Sequence, residues 1–492
     1  MGVVDHYIKG EPVNSYTEKE DLVNPSTGDV SASVLYGGAS EVDAAVAAAK
    51  EAQKSWARSG LVARGEMLLE VRELMRRDRD TLIDFCINEG GKTRNDAIAE
   101  VAKGIETLSF NSAVSSWYNT RLTQNVSGGV DTHEARFPIG VVAAVAPFNF
   151  PVLVPMLQTG MALACGNAVV VKPSEKVPSS MRHIAEYFAQ AGFPDGLVNV
   201  VNGGRAVVER MIEHPDVAGL TFVGSTPVAK ALRVRGVELD KRVQAFGSGK
   251  NHMIVLPDAD LGMAADAAVS AAYGAAGQRC MAISVLVAVG DIGDELVAKI
   301  KERIPNVRLG SALDDNTELG PVISAQSRER IHEFIEQAAP GGAEVVVDGR
   351  LDNPVGNLVG ATLVDHVTPG MRLHDEEVFG PVLSVVRAET YEDAMQIVDD
   401  HPLGNGAAIF TRDGGAAREY THDIRAGCVG VNVPIPVPIF SHSFGGWKGS
   451  AFTETRLSGP EAMAFHTRIK TITTRWPDPS TSRVDLGFPS SR

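Results

Sequence analysis

The sequence predicts an α/β fold built on buried parallel sheets. Three observations predict it. Short β-rich segments such as 168–172 (AVVVK) are apolar on both faces and do not alternate as half-exposed strands do. Amphipathic helical runs lie between them, as βαβ crossovers require. The pattern returns after about residue 250, and a chain of 492 residues, at roughly 150 per domain, has room for about three structural units.

The elements follow in order. Ser40 stands at a helix N-cap with Asp43 three residues on, and Val42, Ala45, Val46, Ala49 and Trp56 recur at helical spacing. A second helix is expected from Ala63 to Arg77. The period then changes. Segments 140–147 (GVVAAVAP), 168–172, 197–202 (LVNVVN) and 218–223 (AGLTFV) read as strands, and Ser179–Ala191 reads as a helix stopped by Gly192. Further on, Met253–Leu256 and Ser284–Val289 read as strands, Leu261–Ala276 and Asp294–Ile304 as helices. Val433–Phe440 (VPIPVPIF) reads as an extended, proline-stiffened loop, and the tail beyond Thr471 is polar.

Charge and cysteine content exclude several classes. With 46 Lys and Arg against 61 Asp and Glu, the net charge of −15 disfavours nucleic acid or an anionic membrane as partner. Cys86, Cys165, Cys280 and Cys428 form no CxxC pair, so neither a metal site nor a disulfide framework is expected. The longest apolar stretch, near Ile139–Pro147, is too short for a bilayer, and the N-terminus lacks a signal-like apolar region. A cytoplasmic location follows as the expectation. Gly91-Lys92-Thr93 looks like the end of a Walker A loop, but Cys86 stands where its first glycine belongs, so it reads as a helix C-terminal turn. His332-Glu333 has Glu336 in place of a zincin's second histidine, and no GxGxxG follows a strand.

Five segments flank predicted strands, where open α/β sheets place ligands. They are Pro147–Pro151 (PFNFP), Val171–Glu175 (VKPSE), Phe222–Ser225 (FVGS), Gly277–Cys280 (GQRC) and Glu376–Pro381 (EEVFGP). In this order and spacing the chain resembles the aldehyde dehydrogenase superfamily, from Asn24-Pro25 to Lys470–Ile472. The resemblance implies a doubly wound NAD-binding domain (1–117 and 138–247), an α/β catalytic domain (248–464) and a small β extension for oligomerisation (118–137 and 465–492). An extension with unpaired strand edges implies a homodimer or homotetramer.

The chemistry can also be read from the residues. Oxidising an aldehyde by hydride transfer first needs a tetrahedral adduct, which a thiolate can form, leaving a thioester after hydride departs. Cys280 follows the small residues Gly274–Gly277 and neighbours cationic Arg279, which favours thiolate. The other three cysteines lie in apolar helix-like or strand-like settings and read as structural. Asn149 reads as an amide donor to the developing oxyanion, with the Cys280 backbone N–H as partner. By resemblance, Phe148 and the pair Glu377 and Phe379 contact the nicotinamide end of the cofactor, while Lys172 and Glu175 reach the adenosine ribose. A carboxylate at Glu175 repels a 2′-phosphate and so favours NAD over NADP. Gly224 and Ser225 open a helix whose N-terminus attracts the pyrophosphate.

One departure narrows the reading. Hydrolytic members carry Glu-Leu-Gly-Gly-Lys, whose Glu activates water; here the run is Phe246-Gly247-Ser248-Gly249-Lys250. A phenyl ring accepts no proton. That loss, with Lys250-Asn251-His252 and Arg279–Ala282, resembles the methylmalonate-semialdehyde dehydrogenase branch, which passes the acyl group to coenzyme A with loss of the β-carboxylate. That branch holds the substrate carboxylate with two arginines. Arg279 matches one, with a structural salt bridge as the alternative, and Lys103 stands in place of the other, keeping the charge without the bidentate fork. The competing functions are a hydrolytic enzyme acting on another polar aldehyde and a noncatalytic binding or structural protein.

Overall fold

Strands apolar on both faces need cover on both faces, and the tertiary structure supplies it. The computed structural model describes residues 2–481 and 483–484. One sheet has eight strands in the order Ala451–Phe452, Arg242–Phe246, Val217–Val223, Val141–Val145, Ala168–Lys172, Val198–Val200, His6–Ile8, Glu11–Val13. The five central strands from Arg242–Phe246 to Val198–Val200 run parallel. Antiparallel strands close both edges. Every residue of Val141–Val145 and Ala168–Lys172 is buried, which is why neither alternates.

The predicted helices recur with shifted ends. Ala39–Trp56 buries Val42, Ala45, Val46, Ala49 and Trp56. Its N-cap is Gly38, not Ser40: the Glu41 carboxylate accepts the Gly38 N–H at 2.8 Å and the Ser40 hydroxyl at 2.9 Å. The second helix is Leu61–Arg77. Ser179–Gln190 stops before Gly192, whose φ of +83° breaks the helical path. Gly91, at φ +65°, turns the chain after the helix Arg79–Asn88, and Thr93 caps the next helix, Arg94–Ser112.

A second sheet of seven strands runs Glu344–Val347, Thr362–Asp365, Val382–Ala388, Ile283–Val289, Asn251–Val255, Gly406–Phe410, Cys428–Val431, with only Glu344–Val347 antiparallel. It has its own apolar core, separate from that of the first sheet. Here one helix is shorter than expected. Leu261–Ala276 ends at Tyr273, and Gly274–Gly277 forms a kinked turn in which Ala275 and Ala276 both have φ +53°. The alanine run is good helix-forming sequence, so propensity alone continues the helix. Tertiary packing overrides it at a cost of about 1–2 kcal/mol per left-handed alanine.

A third sheet pairs Thr467–Arg475 along its length with Val130–Pro138, and the latter with Leu122–Ser127. Residues 482 and 485–492 of the expected extension lie outside the described residues. A three-stranded sheet near the N-terminus, Gly2–Val4, Val30–Tyr36 and Glu18–Val23, was not anticipated: Glu18–Val23 is charged and largely exposed, and Gly2–Val4 spans only three residues. Among the described residues no helix is long and apolar enough to cross a membrane, and no group of His, Cys, Asp and Glu could hold a metal ion.

Candidate active site

The first sheet switches direction beside Val141–Val145: Ala168–Lys172 lies on one side and Val217–Val223 on the other. A crevice is expected beyond the carboxyl ends of such strands. A cavity of about 830 Å³ opens there. Phe148, Asn149, Lys172, Glu175, Gly224 and Ser225 line it from the first sheet. Cys280, Glu377 and Phe379 line it from the second.

Cys280 leaves the strained turn into this cavity. Gly277 has φ +68°, and a Cβ on it would lie 2.0 Å from the Gly380 carbonyl oxygen, so only glycine lets the turn pack there. The Cys280 carbonyl accepts the side-chain amides of Asn251 and Asn405, each at 2.9 Å, which fixes the nucleophile's backbone. Asn149 Nδ2 donates to the Gln278 carbonyl at 3.0 Å. An amide nitrogen carries two hydrogens, so this bond positions Asn149 without exhausting it as a donor.

Burial, then the Glu377 charge and Cys428, push the Cys280 thiol up to about 12. The expected help from Arg279 is therefore corrected. The Arg279 guanidinium pairs with Asp96, whose carboxylate also accepts the Ala275 N–H at 3.1 Å and the Thr93 hydroxyl at 3.1 Å. Arg279 thus braces the turn rather than favouring thiolate.

At the other end of the cavity, Lys172 Nζ donates to Glu175 at 2.8 Å and to the Gly203 carbonyl at 3.0 Å. Burial raises the Glu175 carboxyl, but the Lys172 charge and hydrogen bond outweigh it and hold the group below its ordinary range. A Cβ at Gly224 would lie 2.5 Å from the Phe222 ring, so the backbone there is kept open. Ser225 is the N-cap of the helix Thr226–Glu238, and its hydroxyl makes no capping bond.

Glu377 and Phe379 come from a segment held by its backbone. Lys250 Nζ donates to the Glu376 carbonyl at 2.8 Å, and Arg330 donates to the carbonyls of Glu377 at 2.6 Å and Val378 at 2.8 Å. Phe379 has φ +55°, an outlier for an aromatic residue, and its ring meets Phe148 edge-on at 5.7 Å. Glu377 Oε1 accepts the Gly249 N–H at 2.9 Å, and burial raises its carboxyl.

A thiol, a side-chain amide and a carboxylate thus converge on a crevice between two α/β cores. The profile of the Aldehyde dehydrogenase family matches residues 13–472. The chain belongs to that family. It is 41% identical to a malonate-semialdehyde dehydrogenase of Pseudomonas aeruginosa over 496 aligned residues, 100% of both chains. It is 41% identical to malonate-semialdehyde dehydrogenase 2 of Geobacillus kaustophilus, over 96% of this chain and 98% of the relative. Its fold matches the crystal structure of the methylmalonate-semialdehyde dehydrogenase of Oceanimonas doudoroffii with a TM-score of 0.96 at 41% identity, over 98% of this chain and 99% of that one. The same figures hold for a Sinorhizobium meliloti protein assigned as a methylmalonate-semialdehyde dehydrogenase and complexed with NAD.

Within this aldehyde dehydrogenase the loop after Phe246 is distinctive. Phe246 ends the strand Arg242–Phe246 and packs against Leu157, Phe440 and Leu457. The loop that follows is pinned. The Gly247 N–H donates to the Ser450 carbonyl at 2.9 Å, the Ser248 N–H to the Thr226 hydroxyl at 3.0 Å, and the Ser450 hydroxyl to the Ser248 carbonyl at 2.7 Å.

Neither Arg279 nor Lys103 lines the cavity with Cys280. Lys103, on the helix Arg94–Ser112, is half exposed, pairs with Glu106 at 2.7 Å and lies 5.7 Å over the Phe440 ring. The sequence reading missed several supports. Lys92 pairs with buried Glu100 at 3.0 Å and lies 4.6 Å over the Phe150 ring, while Glu100 accepts the Val152 N–H at 3.0 Å; together they hold the Asn149 loop from behind. Asn251, Lys250, Arg330 and Asn405 support Cys280 and Glu377 in the same way. Such supports leave little local mark in sequence, since Glu100 meets the Val152 N–H and Lys250 the Glu376 carbonyl far along the chain.

Proposed function

We propose that the protein oxidises a small anionic semialdehyde, of the malonate or methylmalonate semialdehyde kind, with NAD, and passes the acyl group to coenzyme A. The observation that carries this reading is Phe246. Its ring is sunk in an apolar cluster where hydrolytic relatives carry a water-activating carboxylate. The names of the relatives and the NAD in one solved neighbour support it.

The cavity fits the cofactor: it is long, open at Gly224, and carries Lys172 and Glu175 where ribose hydroxyls need partners. NAD, when bound, accepts the hydride. The Cys280 thiol gives its proton to solvent in the open cavity, its sulfur bonds to the aldehyde carbon, and the carbonyl π pair moves to the oxygen, which becomes anionic. Asn149 Nδ2 and the Cys280 N–H donate to that oxygen. Hydride departure leaves a thioester on Cys280. Water then lacks a positioned base at residue 246, a deficit of about a hundredfold to ten-thousandfold. A thiol ionises more readily than water and attacks thioesters well, so coenzyme A takes the acyl group. By resemblance, Lys103 and Arg279 are the candidates for the substrate carboxylate; Lys103 pairs with Glu106 and Arg279 with Asp96 outside the cavity lining, so the resemblance rather than the geometry supports this part of the reading. The exposed sheet edge at Leu122–Ser127 supports assembly as a homodimer or homotetramer, and four unpaired cysteines suit a reducing cytoplasm.

Rapid mixing tests the reading. With malonate semialdehyde and NAD, NADH should appear in a burst near one equivalent per subunit, then slowly, and coenzyme A should accelerate the slow phase and yield an acyl-CoA. A high steady rate without coenzyme A, unchanged on its addition, overturns the reading in favour of hydrolysis.

A further inference from the structure

We infer that Glu377 is the base that takes the thiol proton of coenzyme A during acyl transfer. This rests on the acyl-transfer reading above and adds a catalytic residue to it.

Phe246 leaves its loop without a carboxylate, yet a carboxylate is docked on that loop from the other sheet. Glu377 accepts the Gly249 N–H at 2.9 Å, in the loop that follows Phe246. It lines the same cavity as Cys280, and burial together with its negative charge raises the Cys280 thiol. The other carboxylates lining the cavity are matched to cations: Glu175 to Lys172, Glu209 to Arg205, Glu213 to Arg235. Glu377 is differently placed. The two basic groups facing it, Arg330 and Lys250, whose ammonium is lowered by burial to about 7, direct their N–H groups to backbone carbonyls of Glu376, Glu377 and Val378. Its carboxylate is bound by a neutral donor and keeps its basicity. Burial raises that basicity, which narrows the gap to a thiol of pKa about 8.5; water is far less acidic and stays outside that reach, so the carboxylate assists coenzyme A and leaves hydrolysis slow.

Timing permits the second role. Nicotinamide and the coenzyme A thiol must both reach Cys280 through this cavity. The carboxylate that contacts ribose during hydride transfer is free once the nucleotide has left.

The step balances without any oxidant. The Glu377 carboxylate takes the thiol proton of coenzyme A. The thiolate sulfur bonds to the thioester carbon, and the bond from that carbon to Cys280 sulfur breaks with its electron pair. Glu377, now a carboxylic acid, returns the proton to Cys280. Because burial pushes the Cys280 thiol up to about 12, its departure as a bare thiolate is slow, and a nearby acid assists it.

The test isolates acyl transfer from hydride transfer. Cys280 is acylated with p-nitrophenyl propionate, without NAD, in the wild-type chain and in Glu377→Gln and Glu377→Asp. Intact mass counts the acyl-enzyme, and coenzyme A is then mixed in between pH 6.5 and 9. Glu377→Gln should transfer about a hundredfold more slowly at pH 6.5. The deficit should shrink toward pH 9, where the coenzyme A thiol ionises unaided, and Glu377→Asp should recover part of the loss. Equal rates in wild type and Glu377→Gln at pH 6.5, or a deficit constant across that range, would overturn the assignment. A wild-type acyl-enzyme that ignores coenzyme A at every pH overturns the acyl-transfer reading, and this inference with it.

Discussion

The turn that presents Cys280 and the loop that follows Phe246 meet in one cavity but are held in opposite ways. The turn is held through its backbone, by left-handed Ala275 and Ala276, by Gly277 beneath the Gly380 carbonyl, and by two asparagine amides on the Cys280 carbonyl. The loop has one backbone bond, from the Gly247 N–H to the Ser450 carbonyl, and is otherwise held by side chains, the hydroxyls of Thr226 and Ser450 and the carboxylate of Glu377. A backbone-held nucleophile cannot drift, which suits a sulfur that must meet carbonyl carbon within tenths of an ångström. A side-chain-held loop can exchange its partners, which suits a carboxylate serving two steps.

The sharpest way to break the comparison is at the nucleophile. Cys280→Ala should abolish NADH formation while NAD binding stays within a few fold; appreciable turnover would sink the assignment. Asn149→Ala should lose about a hundredfold or more in rate, the scale of one oxyanion donor.

Next comes the backbone itself. Gly277→Ala puts a Cβ against the Gly380 carbonyl at a positive φ, so thermal unfolding should show a loss of at least about 2 kcal/mol, with activity falling as Cys280 shifts. An unchanged melting temperature would mean the turn is not what fixes the nucleophile.

Arg279 joins the turn to the helix that bears Lys103 through Asp96. Arg279→Leu should raise KM for malonate semialdehyde far more than for propanal. Equal effects on both would confine Arg279 to bracing the turn.

The smallest effect concerns the far end of the cavity. Glu175→Gln should narrow the preference for NAD over NADP, because the 2′-phosphate no longer meets a carboxylate held ionised by Lys172. A wild-type enzyme using NADP as well as NAD would show that the carboxylate points elsewhere.

The sequence by itself determined the parallel strands, since double-sided apolarity is a local property, and most helices, since periodicity is too. The cavity residues were legible as well: Asn149, Lys172, Glu175, Gly224 and Ser225 lie at or just after strand ends, which converge on one edge of an open sheet, while Cys280, Glu377 and Phe379, which precede strands, were marked by the family resemblance. The remaining features depend on contacts made in three dimensions. The tertiary structure ended the helix at Tyr273 against the propensity of an alanine run, because packing against Gly380 and the Asp96 brace outweighs propensity. It turned Arg279 from activating Cys280 to pairing with Asp96, 183 residues earlier in the chain. It also set Glu377 on the loop after Phe246, 128 residues from its Gly249 partner. Charge pairs and hydrogen bonds form between surfaces that folding brings together, and no local pattern encodes a partner that distant.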